Sequence, residues 1–427
     1  MSYPEAIKYL EALINYEKLS SYSYSQSIKL ERIKGFLDLI DNPQNYLKCI
    51  HIAGSKGKGS TCAFIAYILR EAGFRVGLYT SPHLCDFRER IRILKPGENR
   101  SKGLNEFEGM IPRLRLSGLV SRYKSTIDKY NRASIYGPLS FFEVYTALAF
   151  VYFKEGKVDF AVLETGLGGR LDATNVASAL VCVITPISYE HTDKLGDTLK
   201  EIAREKAGII KNNSIVISAP QEPEALKVIR KKCIQTGSRL ELVDRYKNQK
   251  IKLIGKHQLI NAAVARCAIK SFGAYNINVD ANEIKLGLSK TLWPGRCEVV
   301  SKSPLVILDG AQNIASCGVL VKAIRDNFKY SRLLLVFGVS NDKDVLGMCG
   351  ELYGLADLVI LTRSSNPRAT EPAILSEHFK NKEKYITSSI NQAKLLARGL
   401  AHKDDLILVT GSLFVVGEFR DDKKRFN

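Results

Sequence analysis

No uncharged apolar run in this chain approaches the roughly 18 residues a membrane helix needs; the best candidate, residues 147–153, stops far short. The opening turns carry Glu5, Lys8 and Glu11, where a signal peptide would hold an apolar core. The expectation is a soluble, cytoplasmic protein with no membrane partner. Paired cysteine spacing is also missing. The nine cysteines are odd in number, scattered and without a CxxC, which excludes a zinc ribbon and a dithiol redox motif. Cys62, Cys182 and Cys267 sit in apolar stretches, where a reduced thiol packs as a small hydrophobe. Negative charge is in short supply: 44 Asp and Glu face 63 Lys and Arg, a net charge of +19. That excess attracts anions. Its densest clusters (Arg88, Arg90, Arg92; Lys227, Arg230, Lys231, Lys232; Lys423, Lys424, Arg425) are short and lack interleaved aromatics. With no zinc-finger or RNP signature beside them, nucleic acid is not an expected partner.

What is present is an ordinary globular composition, 45% hydrophobic and 25% charged over 427 residues, long enough for two domains. Strand patterns at 46–53, 76–79, 160–163 and 180–187 alternate with helical patterns at 61–72 and 140–154. This βαβ alternation predicts an α/β fold with a parallel sheet covered by helices. The stretch 95–138 is polar and basic, with some helix around 104–130. The pattern restarts after Trp293-Pro294-Gly295, with strands at 305–308, 332–339, 358–362 and 406–409 and a helix near 315–326. Residues 1–292 and 293–427 are therefore expected to form a larger and a smaller α/β domain about a hinge at 293–295.

The sharpest signal is Gly54-Ser55-Lys56-Gly57-Lys58-Gly59-Ser60-Thr61, between a predicted strand and a predicted helix. Glycines let backbone N–H groups converge on phosphate oxygens, and the helix N-terminus adds partial positive charge. Lys58 would reach the β- and γ-phosphates, and Ser60 or Thr61 offers a hydroxyl. The spacing is not GxxxxGK[ST], because Gly59 separates the lysine from the serine. A solvated turn is the bland alternative, disfavoured by three glycines and two lysines in this context.

Lys206 stands out by periodicity. Leu199, Ile202, Ala203 and Lys206 fall on one helical face, with Asp197 or Thr198 as N-cap and Gly208 as the stop. A lysine on an apolar stripe either snorkels to water or is buried. Burial favours the neutral amine, the form that reacts with carbon dioxide. Ser81, Glu164 and His191 each follow an apolar run, at the carboxyl ends of predicted strands, where open α/β sheets bind ligands. Hard oxygens and one imidazole beside phosphates suit magnesium. Ser140-Phe141-Phe142-Glu143 reads as a capping box, which assigns Glu143 to the cap. Residues 166–175 are too glycine-rich for a strand and read as a second ligand-lining loop.

Together with YTSPHL (79–84), RERI (88–91), LETGLGGRLDATN (163–175), EHTDKLGDT (190–198), EKAGI (205–209), HQLINA (257–262), WPGR (293–296), DGAQN (309–313) and NPRA (366–369), the Gly54–Thr61 turn resembles the folylpolyglutamate synthase and dihydrofolate synthase family of the Mur ligase superfamily. The motifs keep family order nearly end to end. The resemblance implies a P-loop ATPase domain of Mur-ligase type, then a Rossmann-like glutamate-ligase domain. It implies an ATP- and magnesium-dependent carboxylate–amine ligase that joins L-glutamate to 7,8-dihydropteroate, to folate polyglutamate tails, or to both. The route is an acyl phosphate, with ADP and phosphate released. The implied nucleotide contacts are Ser55, Lys56, Gly57, Lys58, Gly59, Ser60, Asn261, Arg296 and Asp309. One magnesium ion would rest on Ser81 and Glu164 and a second on Glu164 and His191, with Lys206 as a carbamate. Ser140, Phe141, Phe142, Leu171, Asp172 and Ala173 would meet the pterin, with core packing of one or both phenylalanine rings as the alternative. Lys58, Lys206, His191 and Arg296 form the expected catalytic set.

GGRLDATN resembles members with dihydrofolate synthase activity more than those that only extend tails. Only small molecules are expected partners, and the chain is expected to act as a monomer. Three positions depart from the family pattern: Lys56 adds a charge, Gln312 replaces the usual histidine, and Ser27–Arg32 replaces DLGLER. The rival readings are a polyglutamylation-only enzyme, another Mur-type amino-acid ligase, a non-catalytic binding protein and a P-loop ATPase acting on nucleic acid.

Overall fold

The computed structural model describes residues 1–17, 19, 22–97, 107–243 and 249–421. The basic cluster at 423–425 and the start of the 104–130 helix lie outside these. Seven strands build the first sheet: β1 (Cys49–Ala53), β2 (Val76–Tyr79), β3 (Ile91–Leu94), β4 (Phe160–Glu164), β5 (Ala179–Ile184), β6 (Ile215–Ser218) and β7 (Arg239–Leu242). Their order is β3-β2-β4-β1-β5-β6-β7, parallel throughout except for β3 against β2. The second sheet has β8 (Glu298–Lys302), β9 (Leu305–Leu308), β10 (Leu333–Phe337), β11 (Leu358–Leu361), β12 (Glu383–Ile386) and β13 (Leu406–Thr410), in the order β12-β11-β10-β13-β9-β8. Only β8 runs antiparallel to its neighbour.

The central strands are apolar on both faces because helices cover both. Along β1, Ile50 and Ile52 pack with Phe64, Ile65 and Ile68 of the Lys58–Glu71 helix. Cys49 and Ala53 join the opposite layer with Phe150 and Phe153 of the Phe141–Glu155 helix. His51 shares the face of Cys49 and Ala53 by strand alternation and is wholly buried. Burial, reinforced by Lys211, lowers its imidazole to about 3. Its folded pKa thus lies below the unfolded one, so the stability it confers is present above pH 6.5 and is lost as pH falls toward 3. Between pH 7.5 and 5 we expect this residue alone to remove about 2 kcal/mol of unfolding free energy. Urea titrations at the two pH values, with His51→Gln as reference, measure that loss.

The Ser140–Glu143 capping box forms as expected. The structure adds a partner that the local motif did not reveal: Arg32 Nε donates to both Glu143 carboxylate oxygens at 2.8 and 2.9 Å, with both side chains 5% exposed. Glu143→Ala leaves a buried guanidinium unpaired and is expected to cost about 3–5 kcal/mol, read from the shift in a denaturant midpoint.

The charge clusters divide. Lys227, Arg230 and Lys231 are exposed on the Pro223–Thr236 helix. Arg88, Arg90 and Arg92 are buried, paired respectively with Asp86, with Glu17 and with the Glu108 carbonyl. All nine cysteines are free, and Cys267 is half-buried rather than core. No described helix is long and apolar enough to cross a membrane.

The loop after β2 reaches the second sheet's helices. Leu84 packs beside Val415 and Val416, and Cys85 Sγ donates to the Gly417 carbonyl at 3.4 Å. A Cβ at Gly417 would fall 2.1 Å from the Leu84 carbonyl oxygen.

Candidate active site

The Gly54–Gly57 turn leaves the carboxyl end of β1, between β4 and β5, and opens the Lys58–Glu71 helix at Gly57. Gly57 takes φ +83° as the N-cap, and any Cβ there would lie 2.2 Å from Asn261 Oδ1. The turn is tied to the end of β5 by Ser55 and Lys56 N–H donating to the Pro186 carbonyl at 3.0 and 3.1 Å. Ser55 Oγ donates to the Ser188 carbonyl at 2.9 Å. Asn261, on the Lys256–Lys270 helix, is buried and donates to Gln258 at 2.9 Å. Gly59 abuts Trp293.

The Gly54 carbonyl oxygen accepts from two lysines, Lys58 Nζ at 2.8 Å and Lys206 Nζ at 2.9 Å. Lys206 is 1% exposed, so it does not snorkel. It lies on the Leu199–Ala207 helix, with Thr198 as the N-cap. Gly208 keeps right-handed helical angles at the C-cap, so this glycine ends the helix without the left-handed turn that a stop glycine usually supplies. Burial lowers the Lys206 amine to about 8 against the pull of Glu190, whose Oε1 sits 2.7 Å from Nζ. Burial by itself would raise Glu190, but Lys58 and Lys206 outweigh it and bring its carboxyl down to about 2. Glu190 is a residue of this cluster that the sequence reading did not single out. Its signal was its place beside His191 in a loop at the ligand-binding edge.

Glu164 ends β4 and is buried. Burial pushes its carboxyl up to about 7 despite Lys58, the Ser81 amide and Arg296. Ser81 N–H donates to Glu164 Oε2 at 3.1 Å, which joins two of the expected metal ligands. His191 takes φ +48° and keeps accessible surface within a cleft crowded by protein atoms. That crowding lowers its imidazole to about 4, opposed by Glu190 and reinforced by Lys58, Lys343 and Lys206. Arg296 and Lys343 bring positive charge from the second sheet's side, and with Lys58 they act on Lys56, whose ammonium burial already disfavours. Asp309 accepts from the Cys297 and Ala311 amides at 2.8 and 2.9 Å, while Gln312 is exposed. Ser60 is buried on the helix's first turn.

The acceptor-side residues separate. Phe141 is fully buried, packed against Phe87 and Tyr145 with the Arg90 guanidinium 5.3 Å from its ring. It is a core ring in this structure, which corrects the expectation of a pterin contact from both phenylalanines. Phe142 is half-buried and lies against Gly166. The Ser140 hydroxyl is committed to Glu143. Leu171 is half-buried, and Asp172 and Ala173 are buried.

A family described as Mur ligase, glutamate ligase domain, matches residues 295–413. The dihydrofolate synthase/folylpolyglutamate synthase of Bacillus subtilis (strain 168) is 33% identical over 417 residues, 92% of this chain and 94% of that protein. The solved folylpolyglutamate synthase of Thermotoga maritima superposes with a TM-score of 0.82 at 31% identity, covering 100% of this chain and 97% of that one. Escherichia coli FolC in complex with DHPP and ADP superposes with a TM-score of 0.79 at 30% identity, covering 98% and 96%. Identity at this level over nearly the whole of both chains, on a shared fold, makes this chain a member of the dihydrofolate synthase/folylpolyglutamate synthase family of ATP-dependent Mur-type ligases.

Proposed function

We propose that this ligase joins L-glutamate to 7,8-dihydropteroate and to folate glutamate tails, using the residues that surround the Gly54 carbonyl. The observation that carries the reading is the convergence of Lys58 and Lys206 on that one oxygen. It sits at a glycine-rich helix N-terminus, with Glu164 at the end of the neighbouring strand. Polyphosphate is the ligand that such a concentration of ammonium groups and backbone N–H donors fits.

In the first step, an acceptor carboxylate oxygen attacks the γ-phosphorus of ATP and the bond to ADP breaks. The glutamate α-amino nitrogen then attacks the acyl carbon, phosphate leaves with the C–O electron pair, and the nitrogen gives up a proton to solvent to leave the neutral amide. Lys58 and Arg296 stabilise the charge that develops on the transferred group. Ser55, Lys56, Gly57, Gly59 and Ser60 line the phosphates, with Asn261 and Asp309 at the rest of the nucleotide. The acceptor's flat ring would lie by Phe142, Leu171 and Ala173. GGRLDATN supports dihydropteroate as an acceptor.

Magnesium fits the donors present. Glu164 is a buried carboxylate with a single hydrogen bond among the described residues, from the Ser81 amide, and the buried Thr61 hydroxyl, one turn into the helix, has no partner there. Among the described residues no three His, Cys, Asp or Glu side chains form a metal cluster, so an ion here would need phosphates and water to complete its shell. Ser81 and Glu164 would hold one ion and Glu164 and His191 a second, with Lys206 as a carbamate ordering the group. Bound there, magnesium supplies Lewis-acid neutralisation of phosphate charge.

We take the chain to divide at 292/293, so that movement of the second domain carries Arg296 to the phosphates. A cytoplasmic location is in keeping with nine free thiols, and we take the chain to act as a monomer. Glutamate-dependent phosphate release by purified enzyme, with dihydropteroate and reduced folates compared as acceptors, tests the reading. Release with folates alone would leave a tail-extending enzyme, and release with neither rejects the proposal.

A further inference from the structure

His51 is buried three residues before the Gly54 turn that would bind phosphate, and the reaction proposed above does not use it. Its Nε2 lies 2.7 Å from Thr174 Oγ1, while Nδ1 has no partner. Thr174, also fully buried, donates its hydroxyl proton to Asp172 Oδ1, and its backbone N–H reaches the same oxygen at 3.0 Å. The other carboxylate oxygen of Asp172 accepts from the Gly166 and Leu167 amides at 2.8 and 3.0 Å. Asp172 therefore spends four acceptor positions on its own loop. With the Thr174 proton committed to the carboxylate, that hydroxyl has only lone pairs to offer, so the imidazole must be the donor. The tautomer is fixed as Nε2–H. The bare Nδ1 is then an unpaired acceptor, which costs less than a stranded donor.

We propose that His51 is a positioning residue for the acceptor substrate: its Nε2–H orients the Thr174 hydroxyl toward Asp172, and this chain of hydrogen bonds holds the 166–173 loop in its binding shape. The inference rests on the assignment of that loop to the acceptor, made above. It links the strand that carries the phosphate turn to the loop beside Phe142, so that both substrates are placed from one rigid element. It also makes Asp172 the brace of the loop, with its carboxylate turned to the loop's own amides and hydroxyl.

Nitrogen-15 NMR of histidine-labelled wild-type protein reads the first half directly and needs no turnover. An Nε2–H, bare-Nδ1 signal assigned to His51 is expected; an Nδ1–H tautomer overturns the proposal. Steady-state kinetics reads the second half. Thr174→Val, nearly isosteric, and His51→Leu are expected to raise the acceptor KM about tenfold, the worth of one buried hydrogen bond, while the ATP KM stays within about twofold. Thr174→Ser and His51→Gln, which keep a hydroxyl and a donor, should bring the acceptor KM back to within about threefold of wild type. Acceptor and ATP constants that move together, an acceptor constant that does not move, or a Gln variant no better than Leu would each overturn the proposal. Thr174→Val keeps the test decisive if the His51 variants fail to fold. A wild-type enzyme that turns over neither dihydropteroate nor folates would bring down the functional reading, and with it the acceptor role of the loop. The tautomer would still report on the hydrogen-bond chain.

Discussion

Lys58→Ala is expected to yield a folded chain whose glutamate-dependent phosphate release falls about a thousandfold or more. Its Nζ sits on the Gly54 carbonyl at the N-terminus of a helix, with Lys56 in the same turn and Lys206 on the same carbonyl. Removing it deletes the charge closest to where the transferred phosphoryl group would lie. The cost to folding is small, because the side chain makes one hydrogen bond, worth about 1 kcal/mol. Thermal unfolding should thus change little while turnover collapses. Near-normal turnover in a folded variant would reject Lys58 as the phosphate lysine, and with it the nucleotide assignment of the turn.

Lys206→Ala should lose nearly as much turnover, by a different route. With the amine at about 8, a substantial neutral fraction is present at mildly alkaline pH, ready to attack carbon dioxide. The nitrogen lone pair forms the N–C bond, one C=O pair moves to oxygen, and a proton leaves to solvent. The product is an anion where an ammonium stood, which exchanges repulsion toward magnesium for attraction. Alanine can supply neither form. Nucleotide affinity should persist, since Lys58 and the glycines remain, and formate or acetate should restore part of the turnover by filling the vacated space. Stability also falls, by about 3 kcal/mol, because Glu190 loses a buried partner. Carbon-13 NMR of wild-type enzyme supplied with labelled carbon dioxide should show the carbamate. An unmodified Lys206 in an active, magnesium-loaded complex would refute the role, and its Glu190 ion pair and Gly54 contact would then be what it contributes.

Most interior strands were legible because burial on both faces writes continuous apolar runs: Val76–Tyr79 and Leu305–Leu308 coincide with their predicted spans, although the equally buried Ile215–Ser218 was not predicted. Edge strands were not. Arg239–Leu242, Glu298–Lys302 and Glu383–Ile386 mix charge with apolar residues and are half-covered or exposed, so their pattern resembles loops. Arg90 shows a second limit. Among neighbours in the chain it reads as one of three surface cations, yet its partner Glu17 lies 73 residues upstream. Placement was legible where local pattern is strong: the glycine-rich turn put Lys58 at a helix N-terminus, and periodicity put Lys206 on a buried helix face. Glu190 was hidden because its meaning depends on a lysine 16 residues on. The burial of Phe141 against the partial exposure of Phe142 is likewise a matter of packing that adjacent positions in a helix do not announce.

The contact between Leu84 and Gly417 bears on how this chain can drift. Gly118, Gly350 and Gly399 lie in helices with nothing within 4 Å of a added Cβ, so alanine there should be harmless or mildly stabilising. At 417 even a methyl group would strike a backbone carbonyl, and that carbonyl belongs to the loop that carries Ser81. In a saturation library selected for growth, the three helical glycines should diversify freely while position 417 returns glycine alone. Selection for the chemistry would thereby leave its mark on a helix more than two hundred residues downstream of every strand of the phosphate turn's own βαβ unit, and variation in that helix can proceed only on its other faces.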